Sequence, residues 1–113
     1  MKSIIIAGPQ GSGKTTLADF ICSIAEHSQS FNITSFDTKE LSPNTEVLVL
    51  EEIVTDKDLF KFKEVVARKR FIFRPAYGNK EVAISPAIIG IIQADHFEWT
   101  GNRDVIVFNL QKL

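Results

Sequence analysis

The feature that most limits the folds open to this chain is a change of period across a short stretch near its start. Ser3 to Ala7 is an apolar, β-branched run of the kind that forms a buried strand, and Gly8-Pro9 stops it. From Thr15 onward Leu17, Phe20, Ile21, Ile24 and Ala25 fall at i, i+3, i+4, i+7 and i+8, one face of a helix that frays over Glu26 to Ser30. The connection, Gly8-Pro9-Gln10-Gly11-Ser12-Gly13-Lys14-Thr15, holds three of the chain's six glycines. A strand that passes through such a turn straight into a helix brings several backbone N–H groups and the positive end of the helix to one point. That arrangement suits an anion, and Lys14 adds a full charge to it.

Downstream, Phe31 to Phe36 is strand-like and Val47 to Leu50 reads as a buried strand. Thr55 lies three residues before Asp58, a capping-box spacing, and Leu59, Phe62 and Val66 continue at helical intervals. Arg70–Pro75 and Lys80–Ile84 flank a turn at Tyr77-Gly78-Asn79, which reads as a β-hairpin. Pro86 separates it from the apolar Ile88-Ile89-Gly90-Ile91-Ile92, and Val105 to Phe108 is the last strand. Apolar strands separated by helical crossovers imply an α/β chain with a mainly parallel five-stranded sheet covered on both faces. A length of 113 residues without linker, repeat or low-complexity segment reads as one domain over residues 1–113. The net charge of −1 gives no global basic field. Cys22 has no intrachain disulfide partner, and the apolar start is too short for a signal peptide or a membrane span. The expected location is therefore cytoplasmic, with no membrane partner.

The loop fits G-x-x-x-x-G-K-[ST] at every required position and resembles the phosphate loop of the P-loop NTPases. The resemblance implies Mg²⁺-dependent binding and hydrolysis of a nucleoside triphosphate, ATP or a related one. Gly8, Pro9, Gln10, Gly11, Ser12, Gly13, Lys14, Thr15 and Thr16 would surround the phosphates, Lys14 reaching the β and γ groups and Thr15 supplying a hydroxyl to Mg²⁺. Val47-Leu48-Val49-Leu50-Glu51-Glu52 resembles the Walker B element of P-loop ATPases with an additional catalytic glutamate, which include AAA+ proteins and superfamily 3 helicases. Glu51 would then hold Mg²⁺, and Glu52 would orient and deprotonate the attacking water.

The same resemblance implies a P-loop three-layer sandwich with strand order 5-1-4-3-2, right-handed crossovers and an inserted hairpin. Gln93 occupies the polar sensor position, where those families usually carry Asn or Thr. Arg103, just before the last strand, matches an arginine finger that reaches a neighbouring subunit, which implies a homo-oligomer or a larger ATPase assembly. Arg74, Tyr77 and Lys80 on the hairpin would contact single-stranded nucleic acid. Without a helical lid after the fifth strand, the chain is expected to be a bare ATPase core.

Simpler readings stand beside these. Seven of the thirteen basic residues lie between Lys57 and Arg74, a run that also suits a solvated helix face. His27 and His96 have no ligand-spaced partners and Cys22 lies among core positions, so no metal site is expected at any of them. His96, Phe97 and Trp99 read as packing. A small-molecule kinase and a nucleotide-binding interaction module without efficient hydrolysis both remain open. No N-K-x-D-type guanine signature is present, and the base preference is not legible.

Overall fold

The computed structural model describes residues 3–68, 70–75, 78, 80–100 and 104–111. Its elements run β1 (Ser3–Gly8), α1 (Lys14–Cys22), β2 (Ser28–Asn32), a 3-10 turn (Thr38–Glu40), β3 (Val47–Ile53), α2 (Asp56–Ala67), β4 (Phe71–Phe73), β5 (Val82–Ile84), β6 (Ala87–Gln93) and β7 (Val105–Asn109). Five strands form one sheet in the order β2-β3-β6-β1-β7, every neighbouring pair parallel. In whole-chain numbering this differs from the expected 5-1-4-3-2, because the hairpin strands β4 and β5 pair antiparallel with each other and form a sheet of their own. Numbered within the large sheet alone, the neighbours are 2-3-4-1-5, the expected succession read from the other edge.

The central strands are apolar on both faces because both faces are covered. Ile6, Val49, Ile89 and Ile91 pack with Ala18 beneath α1. Ile5, Ala7, Leu48, Leu50, Ile88 and Ile92 pack on the other face with Phe62, Val65 and Val66 of α2 and with Phe71 and Phe73 of the hairpin. The layers are therefore α1, the sheet, and α2 with the hairpin.

Gly90 is what lets α2 lie down. A Cβ at this position would run into the Phe62 ring, which is fully buried against the β6 backbone. α2 starts with the expected capping box. Thr55 Oγ1 accepts from Asp58 N–H at 3.1 Å, and the Asp58 carboxylate accepts from the N–H groups of Thr55 at 3.1 Å and Val54 at 3.2 Å. Those donors hold the Asp58 carboxyl below its ordinary pKa, so the cap weakens only as pH falls through that lowered value.

Two expectations need correction. The strand expected at Phe31–Phe36 is Ser28–Asn32, and the chain turns at once afterward. Asn32 Oδ1 accepts from both the N–H (3.2 Å) and the hydroxyl (2.9 Å) of Thr34, a local turn that ends the ladder and sends Ile33 and Phe36 into the core. α1 stops at Cys22, without reaching Ala25; Ala18 is its buried residue, with Leu17, Ile21 and Cys22 half-buried beside it. Small Ala18 sits against the sheet, which turns Phe20 (71% exposed) and Ile24 (83% exposed) outward.

The Gly90 contact sets a stability test. Gly90→Ala forces Phe62 off the sheet and should cost about 1–3 kcal/mol in urea unfolding. Gly78→Ala, whose added methyl meets Pro75 at ordinary contact distance, should change stability by less than about 0.5 kcal/mol.

Candidate functional site

All five strands of the large sheet point the same way, so β1, β3 and β6 end at one edge. β1 leads directly into the glycine-rich loop. Gly11 (φ 84°) and Gly13 (φ 89°) take left-handed conformations, and Gly13 has open space where a side chain would stand. Its requirement for glycine is conformational. Gly8 is required for space instead: a Cβ there would come 2.5 Å from Ser12 Oγ and 3.0 Å from Leu110 O. Ser12 N–H bonds back to Pro9 O (3.3 Å), which closes the turn.

Gly13 caps α1 without a side-chain hydrogen bond, and the first intrahelical bond runs from Leu17 N–H to Gly13 O. The N–H groups of the first turn therefore have no intrahelical acceptors. The Lys14 ammonium donates to Gly8 O (2.9 Å) and Pro9 O (2.7 Å), lying across the loop. Burial lowers its pKa below that of a free lysine.

A cleft of about 430 Å³ opens in front of this loop. Gln10, Gly11, Gly13, Lys14, Thr15 and Thr16 line one wall, and Glu51, Glu52, Ile91 and Gln93 line the other. Two adjacent carboxylates on one wall require explanation, since neighbours in a regular strand face opposite ways. The pairing of β3 with β6 supplies it. Leu50 pairs with Gly90, but Ile53 pairs with Ile92, so β3 carries one extra residue between them. Glu52 sits in that bulge at φ 57°, a left-handed conformation costly for a side-chain-bearing residue.

The Glu52 carboxylate accepts a hydrogen bond from Asn32 Nδ2 at 2.9 Å. Asn32 ends β2 directly beside Glu51 in the ladder. The sequence pattern passed over it because Asn32 lies inside a stretch read as strand, and only the register across β2 and β3 brings it to the site. Cys22, at the end of α1, lies near the start of the β2–β3 ladder, packed with Val47. Burial raises its thiol pKa, a Ser28 hydrogen bond opposes that, and the negative charges of Asp19 and Glu51 add to it.

Thus Gln10, Gly11, Gly13, Lys14, Thr15, Thr16, Glu51, Glu52 and Gln93 share one cleft, while Gly8, Pro9 and Ser12 shape the loop behind it. Arg103 and Tyr77 lie outside the described residues. Arg74 and Lys80 are exposed near the hairpin turn. The basic run is less free than its composition suggests: Lys61 Nζ donates to Phe36 O (3.2 Å) and Thr34 O (3.4 Å), and Lys61 and Arg68 line a small hollow with Asp37 and Glu64. Trp99 and Phe97 pack with Phe62 on the α2 face, away from the cleft. Thr15 and Glu51 offer hard oxygen donors of the kind Mg²⁺ takes. Among the described residues no helix is long and apolar enough to cross a membrane.

No protein-family model matches the chain, and no curated protein does. Among solved structures, the apo A form of the NrS-1 C-terminal region is similar over 98% of this chain and 29% of its own, with 24% identity and a TM-score of 0.60. An apo A-form structure of residues 305–718 of that region is similar over 99% and 28%, with 21% identity and a TM-score of 0.58. NtrX from Brucella abortus in complex with ADP is similar over 81% and 25%, with 19% identity and a TM-score of 0.48. This chain spans less than a third of the length of each of these structures. The likeness to the NrS-1 region is one of fold, an α/β architecture that in this chain is built on a parallel five-stranded sheet.

Proposed function

We propose that the chain binds a nucleoside triphosphate, ATP in the first instance, with Mg²⁺ and hydrolyses it. The observation that carries this reading is the pair of facing walls: free helix-start N–H groups with Lys14 on one side, Glu51 and Glu52 together on the other. The loop amides and the Lys14 ammonium would hold the β and γ phosphates by charge-assisted hydrogen bonds. Thr15 and Glu51 would hold Mg²⁺, which when bound supplies charge neutralisation at the phosphates. Glu52 would take a proton from a water aligned with the γ-phosphate, and Gln93 would orient that water through its amide. Action on single-stranded nucleic acid through Arg74, Tyr77 and Lys80, and an assembly in which Arg103 completes a neighbour's site, extend this reading. Salt-sensitive binding of a labelled oligonucleotide tests the first; a specific activity that rises with protein concentration, and loses that rise in Arg103→Ala, tests the second.

Nucleotide binding without efficient turnover is the competing reading, and one observation favours it. The Asn32 amide already occupies an oxygen of Glu52, so that oxygen has to give up this hydrogen bond before it can accept a proton from water. On that reading Asn32→Ala speeds phosphate release, and an unchanged rate would retire it.

Calorimetry with MgATP and a phosphate-release assay separate binding from chemistry. Lys14→Ala should weaken ATP binding about 10–100-fold. Glu52→Gln should keep binding but slow release about 100-fold or more, the span of general-base effects. Since burial lowers the Lys14 pKa, its ammonium is lost earlier as pH rises, so ATP affinity should fall on the alkaline side before free lysine would titrate. Lys14→Arg should remove that alkaline limb. Glu52→Gly should abolish turnover and yet unfold at a urea concentration equal to or higher than that of the parent chain, because glycine takes φ 57° without strain. A clear loss of stability in Glu52→Gly would show that the bulge is held by the side chain.

A further inference from the structure

We propose that Glu26, His27 and Glu46 form a binding site for a divalent first-row transition ion of the Zn²⁺ type, at the opposite end of the sheet from the nucleotide cleft. His27 looks isolated in the sequence, but the fold brings Glu46 to it. One ligand atom from each of the three side chains lies within 4.8 Å of the others. Ligands of a tetrahedral ion at about 2.0–2.1 Å stand roughly 3.3 Å apart, so the three exposed side chains have to close by up to about 1.5 Å through rotation.

Three further facts favour an ion here. The backbones that carry the ligands are fixed to each other: Glu46 N–H (2.8 Å) and Val47 N–H (3.3 Å) both donate to His27 O, and Ala87 N–H donates to Glu46 O (2.9 Å). The two carboxylates lack compensation, since neither Glu26 nor Glu46 makes an ion pair or side-chain hydrogen bond among the described residues. The donor set is one imidazole nitrogen and two carboxylate oxygens. That combination favours Zn²⁺ and its transition-metal neighbours over Mg²⁺ or Ca²⁺, which take oxygen alone. Water would complete the coordination.

The site is separate from the nucleotide chemistry. Glu46 precedes β3 while Glu51 stands near its other end, roughly 16 Å away at the rise of an extended strand. A bound ion would join the segment leaving α1 to the start of β3, at the point where the β2–β3 ladder begins with the Ser28–Val47 pair. Its effect would be structural, through preferential binding to the folded chain.

The test uses the nucleotide-free chain in a non-chelating buffer, titrated calorimetrically with ZnCl₂ and followed by thermal melting. One Zn²⁺ per chain and a raised melting temperature are expected. His27→Ala and Glu46→Gln should each weaken binding at least tenfold and remove the thermal shift, while His96→Ala and Cys22→Ser leave both unchanged. MgCl₂ at the same concentration should neither give this heat nor displace Zn²⁺. All three proposed ligands are exposed, so the variants should keep the parent urea midpoint without metal. Absence of Zn²⁺ binding, equal binding by His27→Ala, or loss of binding in the His96 or Cys22 variant instead would overturn the site. None of these outcomes bears on ATP binding.

Discussion

The exit of β1 is held from both flanks, and the candidate site depends on that grip. Ala94 N–H bonds to Gly8 O (3.1 Å) from the β6 side, and Leu110 N–H bonds to Ala7 O (2.8 Å) from the β7 side. With Ser12 and Leu110 closing over Gly8, the chain leaves the sheet along a single path. The left-handed glycines then aim the start of α1 back over the strand end. Because β1 is an interior strand, its last backbone groups are fixed by the same parallel ladders that build the core, so the loop inherits the rigidity of the sheet.

The opposite wall obeys a different constraint. A regular β3 would send one of its two terminal glutamates away from the cleft; a single inserted residue brings both to it. The strain at Glu52 is local, and it is carried by a strand whose inner part is among the most deeply buried segments of the chain, with Leu48 and Leu50 fully excluded from solvent. Asn32 adds a side-chain tie across the ladder, linking an edge strand to the carboxylate assigned the chemistry.

Residue periodicity was enough to place most elements, because buried parallel strands announce themselves as apolar runs and the loop between β1 and α1 leaves few alternatives. It misjudged Phe31–Phe36, where apolar residues at both ends suggested a strand but the Asn32 side chain turns the backbone before the run is complete. It also put Phe20 and Ile24 on one helical face with Leu17 and Ile21, whereas both are exposed. Helical spacing identifies an apolar sector, but the depth of Ala18 decides which part of that sector faces the sheet. The carboxylate pair was visible in the sequence, whereas the bulge that aligns it was not, since a bulge is a property of two strands in register. The same holds for Asn32 beside Glu52 and for Glu46 beside His27: each pairing joins residues distant in sequence that only the β2–β3 ladder brings together.

The position of Lys14 has a consequence for selectivity. Its ammonium donates to two backbone carbonyls, so the cup is tied together by a contact within the loop itself. Any guest has to outcompete both carbonyls before it gains that cation. A lone weak anion offers little in exchange, whereas a chain of linked phosphates replaces both contacts and reaches the helix amides as well. On the proposed reading, discrimination by the number of negative charges would come from the loop backbone alone, ahead of any contact with a base.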